Sequence, residues 1–325
     1  MSQTRSEALP KDPAETLATV RMPSRYARFL DSDVFYSFKR SPLVMVAAAI
    51  VAAYIIAAVF APWVAPHNPF DLRTLNLLDA FTPPAWTERG NPQYFLGTDD
   101  QGRDVISAII FGSRMSLVIG LVATLLAMTI GVTLGLISGY VGGKLDAFIM
   151  RVADVQLSFP AILIALLIDG LARAALPKES HDQLAVYVLI LAIAASGWVG
   201  YARTVRGSTL VERNKEYVQA ARVIGRHPLS IMFSHVLPNV LGPVLVIATL
   251  QIGAAIITES SLSFLGVGVP PTQPSLGTLI RIGNDFLFSG EWWITVFPGL
   301  ALVILVLSIN VLGDWLRDAL NPRLR

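Results

Sequence analysis

Six apolar windows punctuate the chain, at 43–61, 115–136, 148–168, 184–199, 240–257 and 292–312. Each approaches the roughly 20 residues with which an α-helix crosses a bilayer, so the pattern predicts an all-α membrane protein with six transmembrane helices. The third window is the least regular, because Arg151 and Asp154 interrupt its start; an i, i+3 pair between them would ease the placement of charge there. The fourth is short, and its character continues through Gly200 and Tyr201 toward Arg203. Between the fourth and fifth windows lies a polar stretch, EYVQAARVIGRHPLSIMFSHVLPN at 216–239, whose periodicity predicts a helix-turn-helix offered to a partner. Tyr217, Ala220, Ala221 and Ile224 fall at i, i+3, i+4 and i+7, with Lys215, Gln219, Arg222 and Arg226 on the opposite side. Gly225 stands where a helix C-terminus wants a residue tolerant of positive φ. Pro228 forces His227 out of the α region and suits the first position of the next helix.

Most of the 25 Lys and Arg residues sit in the N-terminal segment, in the segments after windows two and four, and at the C-terminus. Cytoplasmic loops are enriched in these residues, which places both termini and the 216–239 stretch inside. The expected organisation is a cytoplasmic segment at 1–40, an anchor helix and external loop at 41–114, and a five-helix core at 115–325 that carries a cytoplasmic loop at 203–238. The first window is longer than a signal-peptide core of 7 to 15 residues, and reads as a retained anchor despite the cleavage-like APWVA at 61–65. The second half of the external loop, with Leu96, Val105, Ile106, Ile109, Ile110 and Phe111, reads as an amphipathic helix on the outer surface. No internal repeat of 20 to 50 residues is evident.

Composition agrees with the spans: 54% of the 325 residues are hydrophobic and 15% charged, with a mean hydropathy of +0.59. A soluble domain of this size would have too little polar surface. A net charge of +2 with dispersed basic residues gives no basis for nucleic-acid binding. Without cysteine there are no disulfides, thiolate ligands or thiol nucleophiles. His67, His181, His227 and His235 are scattered, with no HExxH and no i, i+4 pair, so neither a metal centre nor a hydrolytic site is expected. Asp99, Asp100, Arg103 and Asp104 lack the ligand spacing of a calcium loop and read as capping and loop-ordering residues. No Walker-type phosphate loop occurs, so ATP would have to be bound elsewhere. Gly131, Gly135 and Gly139 recur at i+4 along span two, a stripe on which another helix backbone can come close, in this chain or in a partner. Pro160, Pro243 and Pro298 interrupt spans three, five and six.

Several long stretches carry a family resemblance. LGTDDQGRDVISAIIFGSRMSL (96–117), GLISGYVGGKLDAFIMRVADVQLSFP (135–160), EYVQAARVIG with HVLPN, and FPGLALVILVLSINVLGDWLRDALNPRLR (297–325) resemble the C-type permease subunit of ATP-binding-cassette importers for dipeptides, oligopeptides and in some cases nickel. The resemblance implies a type I importer-like bundle, N-in and C-in, in the bacterial inner membrane. The segment 217–238 is similar to that family's "EAA" loop, which seats in a groove of the ATP-hydrolysing subunit. Ala220, Ala221, Gly225, Leu237 and Pro238 match the pattern, while Gln219 replaces its Glu and His235 its aliphatic residue, as in the peptide-importer branch. Glu216 and Tyr217 complete the implied coupling set. Ala108 stands where that family commonly has Arg.

The implied partners are a homologous second permease, two cytosolic ATP-binding subunits that hold ATP and Mg, an external solute-binding protein and a peptide, all within lipid. On this chain the resemblance implies no catalytic, metal or cofactor site. Nickel or glutathione import is the nearest alternative. A secondary transporter is the rival of another class, and it should carry buried carboxylates or histidines in mid-span, where the windows show only Asp154.

Overall fold

A break of 96° divides the third apolar window in two. The computed structural model describes residues 33–71, 75–177 and 180–319; the expected N-terminal segment lies outside it up to residue 32, as does the chain after residue 319. In order, the helices are α1 (Asp33–Arg40), α2 (Pro42–Val59), α3 (Ala61–Val64), α4 (Val105–Val141), α5 (Gly143–Leu157), α6 (Ala161–Ala175), α7 (His181–Glu212), α8 (Glu216–Val223), α9 (Pro228–Ile231), α10 (Leu237–Phe264), α11 (Leu276–Asn284) and α12 (Trp293–Ala319). Five helical stretches are long and apolar enough to cross a membrane, and the bent pair α5–α6 makes a sixth. No strand occurs among the described residues, only an isolated bridge between Thr98 and Asp104.

The window boundaries move for identifiable reasons. Of the amphipathic segment expected to lie on the outer surface, Val105 to Phe111 belong to the first turns of α4, while Leu96 lies in the loop before it. Asp104 starts that helix by accepting from Ser107 N at 2.9 Å and from Ser107 Oγ at 2.6 Å. Val105 then packs with Trp293 and Ile294, and Ala108 with Leu276, Leu279 and Leu305. The boundary expected at 114/115 therefore falls inside one helix. At 37 residues, α4 is about 55 Å long against a hydrocarbon core of about 30 Å. It ends at Gly142, whose φ of +73° turns the chain into α5.

The break between α5 and α6 follows from Pro160, which has no N–H to donate and pushes Phe159 out of the α region. The expected pairing of Asp154 with Arg151 gives way to one across helices, with Arg203 of α7 at 2.5 Å. Asp146 receives both Nε (2.5 Å) and a terminal nitrogen (2.6 Å) of Arg206. Gln156 donates to Ala195 O at 2.7 Å and accepts from Trp198 Nε1 at 2.8 Å. Three polar clasps thus fasten α5 to α7 along its length.

The stripe of glycines faces α7 within the same chain. A Cβ at Gly131 would lie 2.4 Å from Trp198 O, one at Gly135 2.4 Å from Ala202 O, and one at Gly139 2.7 Å from Thr209 Cβ. Any side chain larger than hydrogen would drive the two backbones apart.

Two buried carboxylates escaped the window-based reading. Glu259 of α10, two residues beyond the predicted end of span five, is fully buried. It accepts from Ser116 Oγ on α4 and from Ser263 Oγ, each at 2.8 Å, and from Ser260 Oγ at 3.2 Å. Asp169 of α6 is buried and paired with Arg173 at 2.6 Å. The expectation that the spans lack carboxylates other than Asp154 is therefore corrected, and both groups already have partners within the chain. In the loop before α4, Asp99 accepts from Arg103 Nε at 2.6 Å and from Arg103 N and Gln101 N at 2.9 Å, an ordering role.

Candidate functional site

The polar stretch after α7 folds as an elbow. Arg213, just past α7, reaches back to donate to the carbonyls of Gly139 (2.8 Å) and Tyr140 (3.4 Å), satisfying orphan acceptors at the end of α4 and placing a cation at its negative pole. Lys215 pairs with Glu212 at 2.9 Å. Helix α8 then starts with Glu216 in its first turn and ends with Arg222 in its last, the order its dipole favours. The Arg222 guanidinium lies 5.2 Å from the centre of the Tyr140 ring, a cation–π contact with α4.

Gly225 has φ +79°. Arg226 N donates to Ala221 O, and Gly225 N to Arg222 O, at 3.1 and 3.0 Å. These are the two bonds of a Schellman motif, which ends α8 at the glycine. His227 is extended and Pro228 opens α9. The second arm is not a separate helix: α9 passes through a π turn, Met232–Val236, into α10. Leu237 N donates to Met232 O, one residue further back than in an α-helix. The wide turn accommodates Pro238, whose ring would crowd a carbonyl of the preceding turn. From Pro228 to Phe264 the elbow and span five form one rod.

Burial corrects the face read from the sequence. The stripe Tyr217, Ala220, Ala221, Ile224 is divided: Ala221 is buried together with Val218, which lies outside the stripe, whereas Tyr217, Ala220 and Ile224 are exposed. Val218 and Ala221 join Ile231, Met232, Val236 and Val240 in one apolar cluster with Leu136, Tyr201 and Val205 of α4 and α7. Tyr217 is 37% exposed, and its hydroxyl donates to Glu212 and accepts from Asn239 Nδ2. Burial first, and the Glu212 carboxylate second, push this phenol up to about 12, so it remains a donor at neutral pH. Gln219 is exposed, with Nε2 at 3.4 Å from Arg213 O. Glu216 and Pro238 are exposed, Leu237 is half-buried, and His235 is half-buried with Nδ1 lacking a partner.

The outer side of the elbow is apolar and open. Val223 is 88% and Ile224 79% exposed, and Leu229 across the corner is exposed as well. A Cβ at Gly225 would meet nothing within 4 Å. Sequence reasoning passed over Val223, Leu229, Glu212, Arg213 and Asn239. Val223 beside Ile224, apolar in an otherwise polar segment, was the available signal.

Helices long enough to cross a membrane, a broken third span and a helical elbow rooted in two spans define a multi-pass permease. The sequence comparisons agree. The family model for "Binding-protein-dependent transport system inner membrane component" matches residues 131–325, and that for "N-terminal TM domain of oligopeptide transport permease C" matches 31–84. The chain belongs to the binding-protein-dependent transport system inner membrane component family. It is 41% identical over 293 residues to the dipeptide transport system permease protein DppC of Escherichia coli (strain K12), covering 90% of this chain and 93% of that protein. Identity is 37% over 302 residues to the oligopeptide transport system permease protein OppC of Bacillus subtilis (strain 168), covering 93% and 92%. A chain of the MetNI methionine ABC transporter, solved in an inward facing conformation, superposes with a TM-score of 0.52 at 20% identity, covering 66% of this chain and 97% of that one. That likeness shows that the chain shares the fold of that transporter chain.

Proposed function

We propose that this chain is the transmembrane permease subunit of an ATP-driven importer of di- and oligopeptides, and that its elbow, on the cytoplasmic side with both termini, is the handle by which an ATPase moves it. The observation that carries the reading is the two-sidedness of the elbow. Val218 and Ala221 lock its inner face into the cluster shared with α4, α7 and α10, while Val223, Ile224 and Leu229 leave an apolar outer face in a segment otherwise bathed in water. A partner groove would bury that face, and the fixed inner side would pass its movement to the spans.

Transmission has two routes. Helix α8 is tied to the end of α7 by Tyr217 and Glu212, and α9 is continuous with α10. As two ATP-binding subunits, each holding ATP and Mg, draw together, α7 and α10 would be displaced at one end and the pathway between this permease and its homologous partner would change the side it faces. An external solute-binding protein would deliver the peptide. No bond of the peptide is broken on this chain; its contribution is coupling. The dipeptide and oligopeptide permeases among its relatives support the substrate class.

The chain has no cysteine, so a single Val223→Cys substitution gives a clean topological probe. Labelling by a membrane-impermeant thiol reagent is expected only after the cell interior is opened, and Val223→Asp with Ile224→Asp should release the ATP-binding subunits while leaving insertion intact. Labelling from outside, or retention of the ATPases with full uptake in the double variant, would overturn the reading.

A further inference from the structure

Where α5 breaks from α6, helices α4, α6, α7 and α10 surround a cavity of about 170 Å³ beside Ala161. Its polar wall consists of Thr124, Ser196, Tyr201, Gln251 and Thr258, and no charged side chain lines it. Tyr201 and Thr124 are buried, at 0% and 4% exposure, and neither Tyr201 Oη nor Thr124 Oγ1 has a hydrogen-bond partner. Burying such groups unpaired is unfavourable, and clusters of them mark places where something else supplies the bond. Ser196 and Thr258 direct their hydroxyl protons to Ile193 O (2.8 Å) and Ala254 O (2.9 Å) of their own helices, which leaves their oxygens as acceptors. Gln251 brings both an N–H pair and a carbonyl. Three helices, α4, α7 and α10, thus contribute polar groups to one neutral site with donors and acceptors side by side, and α6 closes it with Ala161.

We propose that this cavity is a waypoint for the backbone of a translocating peptide, in which Thr124, Tyr201 and Gln251 hold one neutral peptide group; the inference rests on the peptide-importer reading above. The chemistry selects that group. A peptide unit offers one N–H and one C=O, which a hydroxyl–amide set can satisfy together. An α-ammonium, an α-carboxylate or a bare divalent cation would need an opposite charge that the wall does not provide. The volume lies below the roughly 300–1,000 Å³ of a pocket for a whole small ligand, which suits one link of the chain at a time. A site that reads the backbone, common to all peptides, is indifferent to side chains and cannot hold its cargo tightly enough to stall it.

The test uses the complete transporter, with its ATPases and solute-binding protein, in proteoliposomes. Uptake of a tetrapeptide is compared with uptake of the same tetrapeptide N-methylated at its central peptide bond, in wild type and in Gln251→Leu, Tyr201→Phe and Thr124→Val. The receptor's own preference cancels when the methylation ratio of each variant is divided by that of wild type. The ratio is expected to fall two- to tenfold in Gln251→Leu, and by a smaller factor in at least one hydroxyl variant. A ratio equal to wild type in all three variants, whether or not absolute uptake drops, overturns the site and leaves the importer reading standing. Absence of ATP-dependent peptide uptake by the wild-type complex overturns that reading, and the site with it.

Discussion

Asn239 Nδ2 donates to Tyr217 Oη at 3.1 Å, across 22 positions of sequence, and thereby joins the first turn of α10 to α8. The same hydroxyl donates a hydrogen bond to Glu212 at the end of α7. One phenol therefore ties three elements whose relative movement the proposed coupling requires.

Tyr217→Phe keeps the ring and removes the tie. Because the residue is partly exposed, the loss of folding stability is expected to stay below about 1 kcal/mol, while peptide uptake per ATP hydrolysed falls severalfold. Parallel measurement of uptake and hydrolysis in vesicles checks this, and an unchanged stoichiometry would show that the tie is dispensable.

At Gly225 the issue is backbone conformation alone, since its φ is +79° and the surrounding space is open. Leucine there costs about 1–2 kcal/mol in the left-handed region, and asparagine less. Uptake at equal expression should rank glycine, then Asn, then Leu, with membrane insertion unaffected. Equal uptake by the three would mean that the corner's geometry does not matter.

Gly135→Ala should be more damaging to stability than its size suggests. The added methyl would sit 2.4 Å from Ala202 O, and α4 and α7 can relieve this only by separating, at about 1–3 kcal/mol. Gly207→Ala, on the same α7 but with nothing within 4 Å, serves as the contrast and should hold or raise the melting temperature of the isolated chain in detergent. Equal melting temperatures would refute the close approach.

Glu259 is the acceptor for three serine hydroxyls contributed by α4 and α10. Glu259→Ala would leave buried donors without an acceptor, at about 1–3 kcal/mol for each one left unpaired. Glu259→Gln, which keeps one carbonyl oxygen, should lose less. Thermal unfolding of the two variants in detergent gives the order, and the reverse order would count against the network.

Periodicity and turn chemistry carried much of this architecture. Gly225 and Pro228 fixed the corner because each restricts backbone dihedrals locally, without reference to neighbours. The glycines of span two announced a close approach, and the structure identifies α7 as the neighbour, which no single helix can specify. What stayed hidden depended on tertiary packing. Apolar windows stop where polar residues begin, so the first three turns of α4, cut off from the window by Ser113 and Arg114, and the end of α10 around Glu259 fell outside the predicted spans although each continues its span's helix. Of the stripe read on α8 as offered to a partner, Ala221 instead packs inward with Val218, because Tyr217 and Val218 are both apolar enough to be buried. Only the hydrogen bonds available to the phenol decide between them.

The π turn at Met232–Val236 has a last consequence. An extra residue in a helix advances its angular phase by about 100°, so this turn indexes the elbow against span five: it decides which way Leu229 points when Val240 and Val244 point inward. Removing Ser234 would preserve every hydrophobic side chain on the rod's outer half yet swing the tip about a quarter turn, presenting a partner with the wrong surface.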